Sequence, residues 1–351
     1  MRTFQQLAKK DGAVPVMTAW GLSSIAEYKG KQALFTKQSP QRLKALREHA
    51  MIESAVSSNR IEGVEVDPGR VMKVILGDTA LKDRDEEEVR GYRDALSLIH
   101  EKDGRLPVSE KTILELHRLA KAKTGDAGRY KEKDGDIIEK YPDGRVRVRF
   151  KTVSAAKTKQ SVKDLVADWD TFIRDGKVPP AIVMAAFNLD FLCIHPFRDG
   201  NGRVSRLLLL QQCYHLGLEV GRYISLEKLI ERNKDRYYET LEESSRGWHE
   251  GKHDPWPYIN YVLFILREAY RDFEDRVGST HEPRGAKTEI VQAAIGKLRG
   301  TFTLSEVERA CPGVSRDMVR KVLRDMKKSG LLSCLGHGPG ASWEKKGTIS
   351  K

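Results

Sequence analysis

Apolar side chains recur at near-helical spacing along most of the chain. From Pro40 to Ser58 they fall on one face of a helix that begins after Ser39, an N-cap residue followed by proline. Further helices are predicted near residues 86–101, 109–122, 161–174, 180–193, 202–216, 226–245 and 255–275. The pattern therefore predicts a mainly α protein.

Residues 137–150 depart from the helical pattern. Ile137-Ile138 and the alternating run from Val146 to Phe150 flank Asp143-Gly144, which is a turn signal. The segment therefore predicts a β-hairpin on the helical body. Taken alone, such a hairpin is a plain structural element whose exposed charges protect a strand edge.

A polar segment rich in helix breakers, residues 277–286, predicts a linker. Before it we expect an N-terminal helical region over residues 1–105 and a helical domain over 106–276. After it, residues 287–351 read as three helices, a strand and a glycine-rich loop. That order resembles a winged helix-turn-helix domain.

The composition narrows the class of protein. The chain has 351 residues, of which 39% are apolar and 32% charged, with a mean hydropathy of −0.52. No apolar run approaches the roughly 20 residues that a membrane helix needs, and the start MRTFQQLAKKDG lacks the apolar core of a signal peptide. Four widely separated cysteines indicate no disulfide framework. We therefore expect a cytoplasmic protein without membrane contact.

The net charge of +12 is concentrated near the C-terminus, because residues 284–351 hold 14 Lys and Arg against 6 Asp and Glu. Such an excess predicts contact with a polyanion, although a solvated basic face is the alternative. Ser315 to Lys328 is the candidate recognition helix, with Ser315, Arg316 and Arg320 able to reach bases or phosphates and Lys327-Lys328 near the DNA backbone. DNA binding and a dimerisation or docking role for this domain both stay open.

The segment with the clearest chemistry is Ile194 to Arg206, between two predicted helices. Gly200-Asn201-Gly202 opens the second helix and offers free backbone N–H groups, which predicts an anion site. Arg203 and Arg206 lie three residues apart, so both guanidinium groups point to one oligophosphate.

Two further side chains of this segment suggest catalysis. Asp199 would repel a bare phosphate, so its presence argues for a metal–nucleotide complex with Mg²⁺ between them. His195 has an intrinsic pKa near 6.5 and can accept a hydroxyl proton at neutral pH.

His195–Arg206 matches the signature H-x-F-x-(D/E)-G-N-G-R-x-x-R at every fixed position, and by it the chain resembles the Fic (Fido) family. The resemblance implies a Fido helical core with the hairpin at 137–150 as its flap. It implies a nucleotidyltransferase, a protein adenylyltransferase that moves AMP from ATP to a Ser, Thr or Tyr hydroxyl of a target protein or of itself. His195 would be the general base and Asp199 the Mg²⁺ ligand.

The same resemblance assigns the groups that hold the nucleotide. They are the anion hole Gly200, Asn201 and Gly202, Arg203 for the β-phosphate, Arg206 for the γ-phosphate, and Tyr237 and Tyr238 near the adenine. Phe197 would be a packing residue. Gly202 stands where the phosphorylating branch of the family has lysine, which favours nucleotidyl transfer.

Ser58 to Gly63 fits the family's inhibitory motif, (S/T)-x-x-x-E-(G/N). The resemblance implies that Glu62 pairs with Arg206 and takes the arginine that the γ-phosphate needs. The alternative is an ordinary helix end in which Gly63 is the C-cap and Glu62 is exposed.

The resemblance also implies partners: ATP, a target protein docked on the flap, and a second copy in a homodimer. Two other functions stay open. One is a DNA-binding regulator in which the Fic domain senses nucleotide; the other is an enzyme that removes AMP or transfers another nucleotide. His249-Glu250-Gly251-Lys252-His253 spells a zinc protease pattern, but its glycines predict a loop rather than the required helix.

Overall fold

The computed structural model describes residues 1–9, 13–36, 40–77, 79–102, 105–121, 125–140, 143–278, 286–298, 300–311, 314–336 and 341–346. The chain divides into two units. The first comprises Met1–Lys37 and Leu46–Phe273, and the second Gln38–Ala45 and Glu274–Lys351.

The first unit is mainly helical. Its helices, some of which extend past its limits, are α1 (Arg2–Lys9), α2 (Val16–Thr36), α3 (Pro40–Ile61), α4 (Pro68–Leu76), α5 (Arg84–Lys102), α6 (Glu110–Ala120), α7 (Ala155–Asp175), α8 (Pro180–Ile194), α9 (Asn201–His215), α10 (Leu226–Arg232), α11 (Lys234–Ser245) and α12 (Trp256–Gly278). A short 3₁₀ turn covers Glu219–Arg222.

Helices α8 and α9 form the centre of this unit. Thirteen of the fifteen residues in each are buried, as expected for helices covered on all sides. Helices α1, α7 and α11 pack against α8, whereas α5 and α6 pack against α9. The loop that joins α8 to α9, residues 195–200, is therefore held between well-packed elements.

One continuous helix was predicted across residues 226–245, but the structure has two helices there, α10 and α11, so the prediction of a single helix was wrong. Asn233 separates α10 from α11 with φ −117° and ψ 32°, outside helical geometry. Its side-chain Nδ2 donates to the carbonyl oxygen of Leu229 at 2.9 Å. An asparagine that bonds to the backbone in this way competes with the helix and ends it.

The hairpin predicted at 137–150 is present as β1 (Asp136–Lys140) and β2 (Val146–Lys151), which pair antiparallel with an irregularity between Ile137 and Ile138. Arg147 and Arg149 of β2 pair with Glu242 of α11. These ion pairs fix the hairpin against α11. None of the described helices is long and apolar enough to cross a membrane.

The second unit has its own apolar core. It contains α13 (Ala286–Lys297), β3 (Phe302–Thr303), α14 (Leu304–Ala310), α15 (Arg316–Lys328), β4 (Leu332–Leu335) and β5 (Ser342–Lys345). The strands form an antiparallel sheet in the order β3-β5-β4. Val291, Val307 and Leu323 are fully or almost fully buried within it. Most of the predicted linker, residues 279–285, and most of the predicted glycine-rich loop, residues 337–340, lie outside the described residues.

Candidate active site

The loop from α8 to α9 begins with an unusual backbone conformation at His195. Its φ of 52° and ψ of 61° are left-handed, and among the described residues it is the one non-glycine residue with positive φ. Its N–H donates to the carbonyl oxygen of Phe191 at 3.0 Å and closes the end of α8. A side chain in this strained conformation requires strong support from its surroundings.

The His195 ring is neutral and its tautomer is defined. Nδ1 lies 3.3 Å from the carbonyl oxygen of Leu192. Because a carbonyl only accepts, Nδ1 carries the proton and Nε2 does not. Burial, together with the ammonium of Lys131, lowers the pKa of His195 to about 4. Nε2 is therefore a free proton acceptor at neutral pH.

Lys131 supports both sides of His195. Its Nζ donates to the carbonyl oxygen of Ile194 at 3.2 Å, and its backbone N–H donates to that of Pro196 at 2.9 Å. Nζ also donates to Thr152 Oγ1 at 2.7 Å, just beyond β2. Burial lowers the pKa of Lys131 to about 8. Sequence reasoning missed this residue, which directly follows Gly128-Arg129-Tyr130.

His117 of α6 supports the middle of the loop. Its ring stacks on Phe197, with 3.7 Å between centroids and 4° between planes. The N–H of Gly128 donates to Nδ1 at 2.9 Å, so Nε2 carries the proton and donates to the carbonyl oxygen of Asp199 at 3.0 Å. Burial lowers the pKa of His117 to about 4, which keeps this arrangement neutral. Phe197 is buried, as a packing residue should be.

The loop ends at the N-terminus of α9. Gly200 is its N-cap residue with φ 84°, a conformation that favours glycine. The Asn201 side chain bonds twice to Phe197: Oδ1 accepts from its N–H at 2.9 Å, and Nδ2 donates to its carbonyl oxygen at 2.8 Å. With the loop fixed in this way, the first N–H groups of α9 are the donors offered to an anion.

Asp199 lies within a group of five charged side chains, which we term the Asp199 cluster: Arg84, Glu88, Lys121, Asp199 and Arg203. Asp199 Oδ2 lies 2.5 Å from Lys121 Nζ, 3.3 Å from Arg84 Nη2 and 3.6 Å from Arg203 Nη2. Partial burial opposes ionisation, but Lys121 and Arg203 outweigh it and hold the pKa of Asp199 below its usual range.

Glu88 of α5 is the buried anion of the Asp199 cluster. Its Oε1 accepts from Lys121 Nζ at 2.7 Å and from Arg84 Nε at 2.9 Å, and its Oε2 accepts from Arg203 Nη1 at 2.5 Å. Burial alone would raise the pKa of Glu88, yet Lys121 and Arg203 hold it below its usual range. Arg203, a predicted nucleotide ligand, is thus also paired within the protein.

Arg206 is bound to the end of α3. Its Nε donates to Ser58 Oγ at 2.8 Å, and Nη2 donates to the Ser58 carbonyl oxygen at 2.9 Å and to Glu62 Oε1 at 2.8 Å. Burial opposes the charge of Arg206, but the Glu62 carboxylate offsets it and raises the arginine pKa. Nη1 is buried and has no hydrogen-bond partner among the residues that the structure describes. Gly63 follows with φ 81°.

Glu62 also reaches the first turn of α9. A Cβ built on Gly202 would overlap Glu62 Oε1 and would lie 3.2 Å from Arg206 Nη1. The Glu62 side chain is 31% exposed, whereas that of Arg206 is 2% exposed. The structure therefore brings Ser58, Glu62, Gly202 and Arg206 together in one place.

The two tyrosines predicted near the adenine differ in their surroundings. Tyr237 is buried and, with Arg206 and Tyr258, lines a cavity of about 10 Å³. Tyr238, whose ring centroid lies 5.1 Å from that of Tyr237, is partly exposed. Of the two, Tyr238 is the one that solvent or a ligand reaches.

The residues present fit a Mg²⁺ ion that arrives with a nucleotide. Asp199 supplies an ionised side chain that is 53% exposed, beside the N–H groups of α9. Within the described part of the chain, no three His, Cys, Asp or Glu side chains cluster as metal ligands. The remaining ligands would therefore be phosphate oxygens and water, which is typical of Mg²⁺ sites.

The two histidines of the zinc protease pattern, His249 and His253, make separate structural contacts. His253 is buried and its Nε2 lies 2.9 Å from Thr3 Oγ1. His249 donates from Nε2 to the carbonyl oxygen of Lys151 at 2.7 Å and stacks on Phe150. Each histidine of this loop thus bonds to a different part of the protein, and the two do not form the helical pair that the zinc protease pattern requires.

Part of the chain matches a known protein family. Residues 107–213 match the Fic/DOC family. The chain is similar to "Protein adenylyltransferase Fic" of Nematostella vectensis, with 25% identity over 253 residues that cover 69% of this chain and 52% of that protein. It is similar to "Protein adenylyltransferase fic-1" of Caenorhabditis elegans, with 32% identity over 133 residues that cover 36% of this chain and 24% of that protein. The chain thus matches about half or less of the length of these relatives.

Among solved structures, the chain is similar to a Fic family protein from Desulfovibrio desulfuricans G20. The TM-score is 0.59 at 20% identity, and the match covers 97% of this chain and 98% of that one. At this identity the similarity concerns the fold. It extends over both units of the chain rather than over the matched family segment alone.

Proposed function

The chain contains a Fic/DOC domain in residues 107–213, and from this premise we propose that it is a Mg²⁺-dependent protein adenylyltransferase. Its substrates are ATP and a Ser, Thr or Tyr hydroxyl of a target protein or of the chain itself. The observation that carries the proposal is the His195 ring, whose Nδ1 bonds to the Leu192 carbonyl oxygen and whose unprotonated Nε2 stands at the start of the loop that leads to the N-terminus of α9.

The reaction is an in-line displacement at the α-phosphorus of ATP. His195 Nε2 accepts the proton of the target hydroxyl while the hydroxyl oxygen forms a bond to the α-phosphorus. The bond from the α-phosphorus to the oxygen bridging to the β-phosphate breaks, and pyrophosphate leaves with the electron pair. AMP stays on the target. The proton on His195 then passes to water, because burial lowers the pKa of this ring to about 4.

The nucleotide is held by backbone and arginine donors. The first N–H groups of α9 would bind the α-phosphate, and Arg203 and Arg206 would contact the β- and γ-phosphates. Nη1 of Arg206 supports this assignment, since it has no partner within the described part of the chain and a buried donor without an acceptor is costly. Tyr238 is the better placed of the two tyrosines to line the adenine.

Asp199 would hold Mg²⁺ together with oxygens of the phosphates. The ion supplies positive charge that offsets the negative charge developing on the phosphate chain. Asp199 suits this task because it is ionised and half exposed.

Glu62 is proposed to restrain the enzyme. Its carboxylate pairs with Arg206 and lies against Gly202, where it would repel a γ-phosphate. ATP would then bind with its α-phosphate out of line for attack. Removal of Glu62 should therefore raise transfer of AMP.

The hairpin β1–β2 is proposed to dock the target protein. Ile138, Val146 and Val148 are 45%, 57% and 47% exposed, and Ile138 pairs directly with Val148. An exposed apolar face on a hairpin suits an extended segment that adds as a strand.

The second unit is proposed to be a winged helix. In α15, Val319, Val322 and Leu323 are buried, while Arg320, Lys321 and Arg324 are exposed with other basic residues. This basic face favours the second candidate function, a DNA-binding regulator. Anisotropy of a labelled DNA duplex with the full chain tests it. Binding that weakens steeply from about 50 to 200 mM salt and is reduced by Arg320→Ala but not Lys346→Ala would support it; no binding at low salt would remove it.

The direction and nucleotide of the reaction also need testing, because removal of AMP and transfer of another nucleotide use the same groups. The experiment compares Glu62→Gly with ATP labelled at the α-phosphate and ATP labelled at the γ-phosphate. Label on protein from the α-position alone supports AMP transfer. Label from the γ-position would indicate phosphorylation. UTP, GTP and CTP labelled at the α-phosphate are compared in the same assay, and stronger labelling by one of them would show that it, rather than ATP, is the substrate. Loss of AMP from a modified protein would indicate the reverse reaction. The homodimer stays a prediction.

A further inference from the structure

The Asp199 cluster contains a cation in the place where a metal would be expected. Lys121 follows the last residue of α6 and its side chain is 1% exposed. Its ammonium lies 2.5 Å from Asp199 Oδ2 and 2.7 Å from Glu88 Oε1. A lysine this deeply buried is rare unless it is paired, and here it is paired with two carboxylates.

The aliphatic stem of Lys121 packs against Gly200, at the end of the loop that joins α8 to α9. A Cβ built on Gly200 would lie 3.0 Å from Lys121 Cδ and 3.4 Å from Lys121 Cγ. The lysine is therefore part of the floor of the loop rather than of the protein surface. Its charge acts at the loop, where phosphates are proposed to bind.

Both oxygens of Asp199 are occupied in this arrangement. Oδ1 accepts from the N–H of Gly200 at 2.6 Å, and Oδ2 contacts Lys121 and Arg84. A free divalent cation approaching Asp199 would meet these positive groups at short range, and such repulsion is strong near a partly buried site. A phosphate approaching the loop would meet a carboxylate whose charge is already compensated.

We propose that Lys121 is a resident counter-ion of Asp199, which keeps free Mg²⁺ from the empty site and prepares the loop to accept the phosphates before or together with the metal. The Asp199 cluster has three cations against two carboxylates, so it is positive overall. This inference rests on the proposed function only in taking the loop as a nucleotide site.

The test measures metal and nucleotide binding separately, in the full chain with Glu62→Gly as the parent. Mn²⁺ binding without nucleotide is measured from the decrease of the electron paramagnetic resonance signal of the free ion. ATP binding in EDTA is followed by calorimetry. The variants are Lys121→Met and Lys121→Arg, and the control is Lys111→Met, at an exposed position of α6.

We expect the two affinities to move in opposite directions. In Lys121→Met, Mn²⁺ should bind about tenfold more tightly and ATP in EDTA about tenfold more weakly, since one neighbouring charge is lost. Lys121→Arg and Lys111→Met should match the parent. Asp199→Asn added to Lys121→Met should abolish the gain in Mn²⁺ binding, which would show that the gain arises at Asp199.

Unchanged or weaker Mn²⁺ binding in Lys121→Met would overturn the inference, because a purely structural lysine predicts that result. Should this variant lack the circular dichroism of the parent, Lys121→Gln takes its place. Failure of the proposed function looks different, because then no AMP is transferred whatever the binding data show.

Discussion

Glu62 Oε1 lies 2.8 Å from Nη2 of Arg206 and against the backbone of Gly202. Under the proposed function both positions belong to the path of the phosphates, so one carboxylate covers both. Ser58 accepts two more hydrogen bonds from the same guanidinium. The end of α3 is thus tied to α9 through Arg206, and a signal that moves α3 would also move Glu62.

The first prediction concerns nucleotide affinity. Glu62→Gly should bind ATP about tenfold more tightly than the wild type, because removal of a like charge near the γ-phosphate site lowers repulsion. Calorimetry with Mg²⁺ and ATP measures it. Glu65→Gly removes an exposed glutamate three residues away and should leave the affinity unchanged. Equal affinities for all three proteins would show that Glu62 does not occupy the phosphate path.

A second prediction is the pH dependence of AMP transfer. A general base works in its neutral form, and the pKa of His195 is lowered to about 4. In Glu62→Gly the initial rate should therefore persist well below pH 6.5, where an ordinary histidine protonates, and fall only towards pH 4.

The matched variant for this profile is Lys131→Met. This substitution removes a positive charge that lowers the pKa of His195. The fall in rate on the acid side of the pH profile, its acid limb, should therefore move to higher pH. Lys133→Met, at an exposed position, should leave the limb in place. A limb near pH 6.5 in the Glu62→Gly protein would mean that the His195 ring is not held in the neutral state described.

The third prediction separates stacking from hydrogen bonding at His117. His117→Phe keeps a ring over Phe197 but loses the bonds to Gly128 and Asp199, so the free energy of unfolding should fall by about 1–3 kcal/mol. His117→Ala also removes the ring and should cost about 3–5 kcal/mol. Urea unfolding measures both. Equal losses would show that the stacked ring contributes nothing.

A fourth prediction is the effect of acid on stability. The pKa values of His100, His117 and His195 are each lowered by burial to about 4 in the folded protein. The unfolded chain therefore binds more protons between pH 6.5 and pH 4, and stability is fully present above this window and is lost as the pH falls through it. Asp190 acts in the opposite sense, because burial raises its pKa to about 6.

Three histidines outweigh one aspartate, so the unfolding temperature should decrease from pH 7 to pH 4.5. His117→Phe should show a shallower decrease, since one of the three groups is gone. Differential scanning fluorimetry across this range provides the measurement. A constant unfolding temperature would contradict the buried, neutral state of these rings.

Local features of the chain were readable from the sequence. The loop from His195 to Arg206 and the end of α3 at Glu62 are contiguous motifs, and the hairpin has an alternating pattern with a turn signal. Neighbouring residues largely determine such elements, so the helices around the loop were predicted within a few residues. The break at Asn233 was missed because it depends on one side chain bonding to the backbone.

The support of the loop was not readable, because it comes from distant parts of the chain. Glu88, His117, Lys121 and Lys131 lie on other elements, and the Lys121–Asp199 contact joins residues 78 positions apart. A single sequence shows charged and polar residues on helices but not which of them meet after packing. Pairing of buried charges becomes visible only when the helices are assembled.

The central claim is that the chain transfers AMP with His195 as the general base and that Glu62 restrains this reaction. The most direct measurement incubates the wild type, Glu62→Gly and Glu62→Gly/His195→Ala with Mg²⁺ and ATP labelled at the α-phosphate, and follows label on protein. We expect strong label with Glu62→Gly, faint label with the wild type and none with the double variant. Equal label in the single and double variants, or none in Glu62→Gly although it binds ATP, would contradict the account.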